Sequence, residues 1–354
     1  MITIDIVMPT GGSHGGVENA VKSWVRHLNP SRFTVRVFHI SPGKEDYLEG
    51  YDKQWVLPLP DDVDTLTVKY CAEAYLTFLK ELGAPDLCVA AWIPILSKAC
   101  AVARKVMKLQ IPVISWIHGD PVILERIGWD NTRDMLFADA HLCISGKIES
   151  ALRSANPDAV TFMIGNPVTA TGVIDYHPDD RTLCYVSRLV YDKRTELALE
   201  ALTLAKSDEW KLLIAGDGPE SERLQSMAKT LSLADRVSFL GWQNPPWPAC
   251  SNAHGLVITS AHEGFSLAAL EASGIGMTVI STPVSGCTDY IVPGQNGFFF
   301  AHDDARGLAD ILDAISDGVL SWCDPAVCKE SITRFSEKNY FEQLPLILER
   351  LCET

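Results

Sequence analysis

The sequence predicts an α/β protein built from two doubly wound parallel sheets. Three observations carry that expectation. Strand-length apolar runs alternate with helical stretches, which implies parallel strands with helices on both faces. The alternation stops at "GNPVTATGVIDYHPDD" (165–180), where proline, glycine and polar residues interrupt the periodicity, and then restarts. At 354 residues the chain exceeds the length at which one hydrophobic core stops growing, and an apolar content of 47% suffices for two. The expected organisation is a first domain over 1–168, a linker at 169–180, a second domain over 181–336, and a C-terminal segment, 337–354, packing back toward the first domain.

In order along the chain, "ITIDIVMP" reads as the first strand, "TGGSHGG" as a glycine loop and "VENAVKSWVRHL" as a helix. Its Val17, Val21, Trp24, Val25 and Leu28 recur at helical spacing, and Asn29 and Pro30 end it. The strands "FTVRVFHI", "DLCVAAW", "PVISWIH" and "AHLCISG" follow, divided by helices such as "ILSKACAVARKVMKL". After the break come "TLCYVSRL", "WKLLIAGDG", "RVSFLGW", "HGLVITS" and "MTVISTP". "SEKNYFEQLPLILERL" closes the chain as a helix that Pro345 should kink.

Charge narrows the function classes. The net charge of -15 argues against a broad nucleic-acid surface. Residues 1–170 carry 16 basic and 19 acidic groups, whereas 171–354 carry 14 and 26, so the first half would approach an anionic membrane or acceptor more easily. Ten cysteines stand singly with no Cys-x-x-Cys pair, which predicts buried reduced thiols in a cytosolic protein. The amino terminus has no basic region before its apolar run and reads as a strand, and no run reaches the length of a membrane span.

Three glycine-bearing turns fall where strands should end, which is where open parallel sheets bind ligands. "GGSHGG" (11–16) aims the amides of Gly15 and Gly16 at a phosphate, or simply connects strand to helix. Ser13 breaks the G-x-G-x-x-G spacing, which weakens a nicotinamide-dehydrogenase reading, and no P-loop run is present. "AGDGP" (215–219) could make a turn through Asp217 and cap a helix near Pro219. Arg188 and Lys193, five apart, would point at a diphosphate if a helix starts near Lys193; solvated surface cations are the alternative.

The most informative stretch is "HEGFSLAALEA" (262–272). Glu263 falls in the loop after a buried strand, Ser266 at the N-cap of the next helix, and Glu271 between its first and second turns. The amides of Phe265, Ser266 and Leu267 then form a helix terminus suited to a phosphate, with a carboxylate on either side. Carboxylates accept paired hydrogen bonds from vicinal diols. A nucleotide sugar has that layout: hydroxyls at both ends and phosphates between.

These motifs together resemble the retaining glycosyltransferases of the large GT-B family 4, which includes many bacterial lipopolysaccharide, glycolipid and capsule sugar transferases. "GGVEN", "SWIHG", "NPV", "SRL…K", "AGDGP", "FLGW", "HEGFSLAALEA" and "GQNGFFF" occur in the family's order and rough spacing over nearly the whole chain. The resemblance implies a GT-B fold, two Rossmann-like domains facing across a cleft. Gly15 and Gly16 would contact the donor diphosphate or lie beneath the acceptor. Arg188, Lys193 and the amides of Phe265, Ser266 and Leu267 would hold the diphosphate, with Gly216 in the same donor site. Glu271 would hold the ribose, Glu263 the transferred sugar, and His118 would face the anomeric centre; Phe239 to Trp242 would border the base.

The implied activity is transfer of a hexosyl unit from a UDP-sugar, UDP-glucose or UDP-galactose, to a hydroxyl of a glycan or glycolipid, with retention and without a metal or cofactor. The implied location is the cytoplasm, with peripheral contact at the inner face of the membrane left open, as is the oligomeric state. Acceptor pockets would come from 41–55 and 119–131, where Tyr47, Trp55 and Trp129 stack on a sugar, meet lipid or fill a core. This chain departs from the family's usual pattern at Ser187, Arg194 and Ser266, where glycine is common. Two other classes remain: a sugar-nucleotide epimerase of the same fold, and a catalytically silent partner protein, against which intact Glu263, Glu271, Arg188 and Lys193 speak.

Overall fold

In the computed structural model, described over residues 1–10, 16–41, 54–56, 66–126, 131–170, 172, 174–175 and 181–353, strand and helix alternate from the start. Gly15, Tyr47, Trp129 and linker positions 171, 173 and 176–180 lie outside the described residues. The chain divides into two compact units: Met1–Pro167 with Glu337–Thr354, and Val168–Ser336.

The first unit contains β1 (Ile2–Met8), α1 (Gly16–His27), β2 (Phe33–His39), β3 (Gln54–Val56), α2 (Val68–Leu82), β4 (Leu87–Trp92) and α3 (Pro94–Val106). It continues with β5 (Val113–Ile117), α4 (Pro121–Arg126), β6 (Ala140–Cys143), α5 (Gly146–Ala155) and β7 (Thr161–Met163). The second contains β8 (Thr182–Val186), α6 (Glu196–Leu204), β9 (Lys211–Ala215), α7 (Ser221–Thr230), β10 (Val237–Gly241), β11 (Gly255–Ile258) and α8 (Leu267–Ile275). Then follow β12 (Thr278–Ser281), α9 (Cys287–Tyr290), β13 (Gly297–Phe299), α10 (Ala305–Ser316) and α11 (Pro325–Ser331). The last helix, α12 (Glu337–Cys352), runs as one element through Pro345 and belongs to the first unit.

Both sheets are parallel, with orders β3-β2-β1-β4-β5-β6-β7 and β10-β9-β8-β11-β12-β13. Each winds outward from a central pair, so the expected fold of two Rossmann-like α/β units is present. The winding reverses between β1 and β4 and between β8 and β11, and such reversals open a crevice at the carboxyl ends of the strands. Central strands are covered on both faces, which explains their near-continuous apolar runs: Ile4, Ile6, Val7 and Met8 of β1 are all fully buried.

Asp5 is the exception in β1. It accepts from Arg36 Nε at 2.5 Å and Tyr75 Oη at 2.7 Å, while Arg36 also donates to the carbonyls of Leu82 and Gly83 at the end of α2. A cation there complements the helix dipole, and the triad ties α2 to the sheet. Trp24, predicted on the buried face of α1, stacks on Trp116 at 4.4 Å and donates through Nε1 to Tyr340 Oη at 2.9 Å, which fastens α12 to the same unit.

Three strands, β3, β7 and β13, are three residues each and too short to show a period in sequence. All ten cysteines are free; nine are buried, and Cys352 is only half-buried, short of the burial expected for it. Among the described residues no helix is long and apolar enough to cross a membrane.

Candidate functional site

The second unit gathers its chemistry at the β8/β11 reversal. The loop after β8 carries Arg188 and Lys193; the neighbouring loop after β11 carries Glu263. Backbone and buried hydroxyls join the two loops. Ala261 N donates to Asp192 O at 2.9 Å, and both Tyr185 Oη and Thr259 Oγ1 donate to the Lys193 carbonyl, at 2.6 and 2.7 Å. Burial raises the Tyr185 phenol well above its ordinary value, so it stays a donor.

This scaffold sets Lys193 Nζ 2.6 Å from Glu263 Oε1, which also accepts from Ser260 Oγ at 2.8 Å. The two side chains are 17% and 15% exposed, so the pair is shielded yet reachable. An ammonium has three donors, and Lys193 spends one on Glu263, leaving others for a phosphate oxygen. Glu263 Oε2 has no partner among the described residues. The roles expected for the two residues are therefore compatible with their mutual ion pair.

No helix begins at Lys193, contrary to expectation. Tyr191–Lys193 is a single 3-10 turn, Arg194 is left-handed (φ 52°), and α6 starts at Glu196. The left-handed position explains why glycine suits it, since glycine adopts that conformation without steric cost. Arg194 is held there by ion pairs to Asp303 at 2.5 Å and Glu196 at 3.5 Å.

Arg188 is exposed and has no carboxylate partner among the described residues. Gly216, at the end of β9, donates its N–H to Gly241 O at 2.8 Å, so that amide is occupied. A Cβ there would fall 1.8 Å from Ser187 O, so the glycine lets the ends of β8 and β9 approach. Asp217 makes the predicted turn: its Oδ1 accepts from Gly218 N and Ser221 Oγ, both at 2.7 Å, which lowers its pKa. The cap expected of Asp217 falls to Glu220, ahead of α7.

Ser266 occupies the N-cap of α8, with φ -73° and ψ 90°, a conformation that needs no glycine. Its side chain makes no capping bond. Among the described residues the N–H groups of Phe265, Ser266 and Leu267 find no acceptor, so this helix terminus keeps its partial positive charge uncompensated. The Phe265 ring is buried edge-on against Phe335 at 5.3 Å, which leaves its backbone as the part that can meet a ligand.

Glu271 lies one turn further along α8. Burial raises its pKa to about 6, and Trp247 Nε1 donates to Oε2 at 3.0 Å, an opposing effect. Oε1 has no partner among the described residues. Both glutamates are thus anchored through one oxygen and open through the other. Trp247 is not singled out by sequence reasoning; its one signal is a large aromatic directly after "NPP". The expected base-binding run divides: Phe239 packs on the unit's core while Trp242 is exposed. Strand alternation and a left-handed Gly241 (φ 68°) separate them.

In the first unit, His118 comes directly after β5, its N–H on Trp92 O at 3.3 Å and its ring edge-on to Trp116 at 4.5 Å. Burial lowers its pKa to about 3, so the ring is neutral, and Nε2 is buried without a hydrogen-bond partner among the described residues. Gly16 opens α1 after β1 and is exposed. Trp92, at the end of β4, holds φ 82°, an outlier for so bulky a residue. A cavity of about 1340 Å³ in this unit, lined by Ile2, Pro85, Lys105, Ile111 and Leu351 among others, opens at the amino ends of the strands. That is the opposite edge from His118 and Gly16, so the cavity is no part of the candidate site.

The chain is similar to known proteins over its whole length. A family model described as "Glycosyl transferases group 1" matches residues 174–319, the span that holds Arg188, Lys193, Glu263 and Glu271. The lipopolysaccharide 1,6-galactosyltransferase of Escherichia coli (strain K12) is 30% identical over 262 residues, 70% of each chain. That of Salmonella typhimurium is 29% identical over 282 residues, 75% of this chain and 74% of the relative. Among solved structures, the apo lipopolysaccharide outer core galactosyltransferase WaaB superposes with a TM-score of 0.86 over 99% of both chains at 24% identity. Anabaena HepE in complex with UDP and glucose gives 0.77 at 18% identity, over 99% of this chain and 100% of that one. This chain belongs to the group 1 glycosyltransferases, and its fold is of the GT-B type.

Proposed function

We propose that the enzyme transfers a hexosyl unit from a UDP-sugar, UDP-galactose or UDP-glucose, to a hydroxyl of a lipopolysaccharide-type glycan or glycolipid, with retention of anomeric configuration and without a metal ion. The observation that carries this reading is the row at the β8/β11 reversal: Arg188, Lys193 on Glu263, the open terminus of α8, and Glu271. The acceptor class and the choice of donor draw support from the two lipopolysaccharide 1,6-galactosyltransferases among the relatives and from HepE, solved with UDP and glucose. A nucleotide-sugar donor suits a reaction in the cytoplasm, and a glycolipid acceptor would bring the enzyme to the membrane's inner face as a peripheral protein.

Each group has a task. Glu271 Oε1 accepts from the ribose hydroxyls, and the amides of Phe265, Ser266 and Leu267 receive the diphosphate. Arg188 and the remaining Lys193 donors stabilise the charge that grows on the leaving phosphate, which supplies electrostatically what a metal would otherwise provide. Glu263 Oε2 orients the transferred sugar's hydroxyls. With its other oxygen committed to Lys193 and Ser260, Glu263 serves as a positioner and not as a covalent nucleophile. The acceptor hydroxyl attacks the face the leaving group vacates, and the departing phosphate takes its proton. Neutral His118, whose Nε2 has no hydrogen-bond partner among the described residues, is proposed to serve the transferred sugar.

Incubation of the purified protein with UDP-galactose, UDP-glucose, UDP-N-acetylglucosamine and GDP-mannose, with chelator present and no acceptor, tests the reading. Preferential binding of a UDP-hexose with slow release of its sugar in the retained form is expected. Epimerised product, or no binding to any donor, would overturn it in favour of an epimerase or a silent partner protein.

A further inference from the structure

From the geometry around Glu271 we infer that Trp247 is a positioning residue for the donor's nucleoside: its indole N–H fixes one oxygen of Glu271, so that the other is presented to the ribose hydroxyls. The inference rests on the assignment of Glu271 to the ribose.

Trp247 opens a 3-10 turn, Trp247–Cys250, and is 2% exposed, so its N–H has no water to turn to and is satisfied by Glu271 Oε2 at 3.0 Å. The side chain is packed closely at its base. Gly172 lies so close that a Cβ there would stand 3.2 Å from Trp247 Cβ and 3.4 Å from Ile275 of α8, and Asp175 N donates to Ser251 O at 2.8 Å. One turn past Glu271, Gly274 packs against Ala170, leaving no room for a side chain. Ala170 and Gly172 thus pack against both the Trp247 side chain and the helix that carries the carboxylate. A glutamate has three rotatable bonds to order on binding. One oxygen fixed in advance removes most of that cost before the ribose arrives. A hydrogen bond to the charged form also favours the ionised carboxylate, the form that accepts from a diol.

The test is calorimetric binding of UDP and of 2′,3′-dideoxy-UDP to wild type, Trp247→Phe, Glu271→Gln and the double variant, from pH 5 to 8. Phenylalanine keeps the bulk and removes only the N–H. Trp247→Phe is expected to weaken UDP about tenfold and to move the acid limb of binding to higher pH. It should have no effect in the Glu271→Gln background or on the dideoxy nucleotide. A purely structural role would weaken both nucleotides alike and leave the acid limb in place, which overturns the inference. If Glu271→Gln weakens UDP while Trp247→Phe does not, only the positioning role fails. If Glu271→Gln leaves UDP binding unchanged, the ribose assignment fails and the inference with it. Should Trp247→Phe not fold, the indole N–H resonance of Trp247 in the wild type decides: it must shift on binding UDP and not on binding the dideoxy form.

Discussion

Replacement of Lys193 by methionine would leave the Glu263 carboxylate at 15% exposure with Ser260 Oγ as its remaining hydrogen-bond partner among the described residues. Removing one partner of a fully buried ion pair costs about 3–5 kcal/mol. Here some solvent reaches both groups and Ser260 still donates, so a loss of about 2 kcal/mol is expected, toward the middle of the range measured for contacting residues. For a unit of this size that lowers the melting temperature by about 4–8 °C. Glu263→Gln keeps the shape and the Ser260 bond and should cost less, because the lone ammonium can turn to water. The double variant should therefore be more stable than Lys193→Met alone, with a coupling of about 1–2 kcal/mol. Denaturation of the four proteins, followed by a probe in the second unit, measures that coupling. Strict additivity would refute the claim that the free protein holds this pair. In turnover both single variants are expected to fall sharply under the proposed roles of Lys193 at the leaving group and Glu263 at the sugar.

Other consequences come from the same site. Glu271 has a pKa raised from 4.5 to about 6, so the folded state holds its proton more tightly than the unfolded chain. That stability is fully present below about pH 4.5 and is lost as pH rises through about 6. Glu271→Gln is thus expected to stabilise the protein by about 1–2 kcal/mol at pH 7.5 and to change little at pH 4.5, while weakening the donor; a variant destabilised at pH 7.5 would contradict this. His118, lowered from 6.5 to about 3, has the opposite sign: its contribution is present above pH 6.5 and lost as pH falls toward 3. Its ring resonances should therefore show no titration between pH 5 and 8, and a midpoint near 6.5 would refute its burial. His118→Ala should lower turnover with little effect on UDP affinity; unchanged turnover would remove it from the site. Gly216→Ala would press a Cβ to within 1.8 Å of Ser187 O, so it should cost about 3 kcal/mol or more by thermal melting, and wild-type stability would exclude that close approach.

Much of the fold was legible because β1, β2, β4, β5, β8, β9, β11 and β12 are apolar runs bounded by turn residues, and α1 shows a helical period. The short strands β3, β7 and β13 were not, since three residues carry no period and their pairing is supplied by neighbours. Of the site, the helix start at Ser266 and the loop position of Glu263 could be read locally, because both lie within a few residues of the end of a buried strand.

The sequence by itself determined which groups this enzyme carries: two glutamates around a helix start, two cations after a strand, and the alternation that makes parallel sheets. Only the tertiary structure decided which of them meet. Lys193 and Glu263 are 70 residues apart and come within 2.6 Å because β8 and β11 are neighbours at the point where the sheet reverses. Trp247 reaches Glu271 because a 3-10 turn and a helix from different parts of the chain are brought together, with Gly172 packed against both. Local spacing fixes conformation over a few residues, whereas contacts across a sheet depend on the order in which the strands assemble, and nothing in the residues near Lys193 encodes that order.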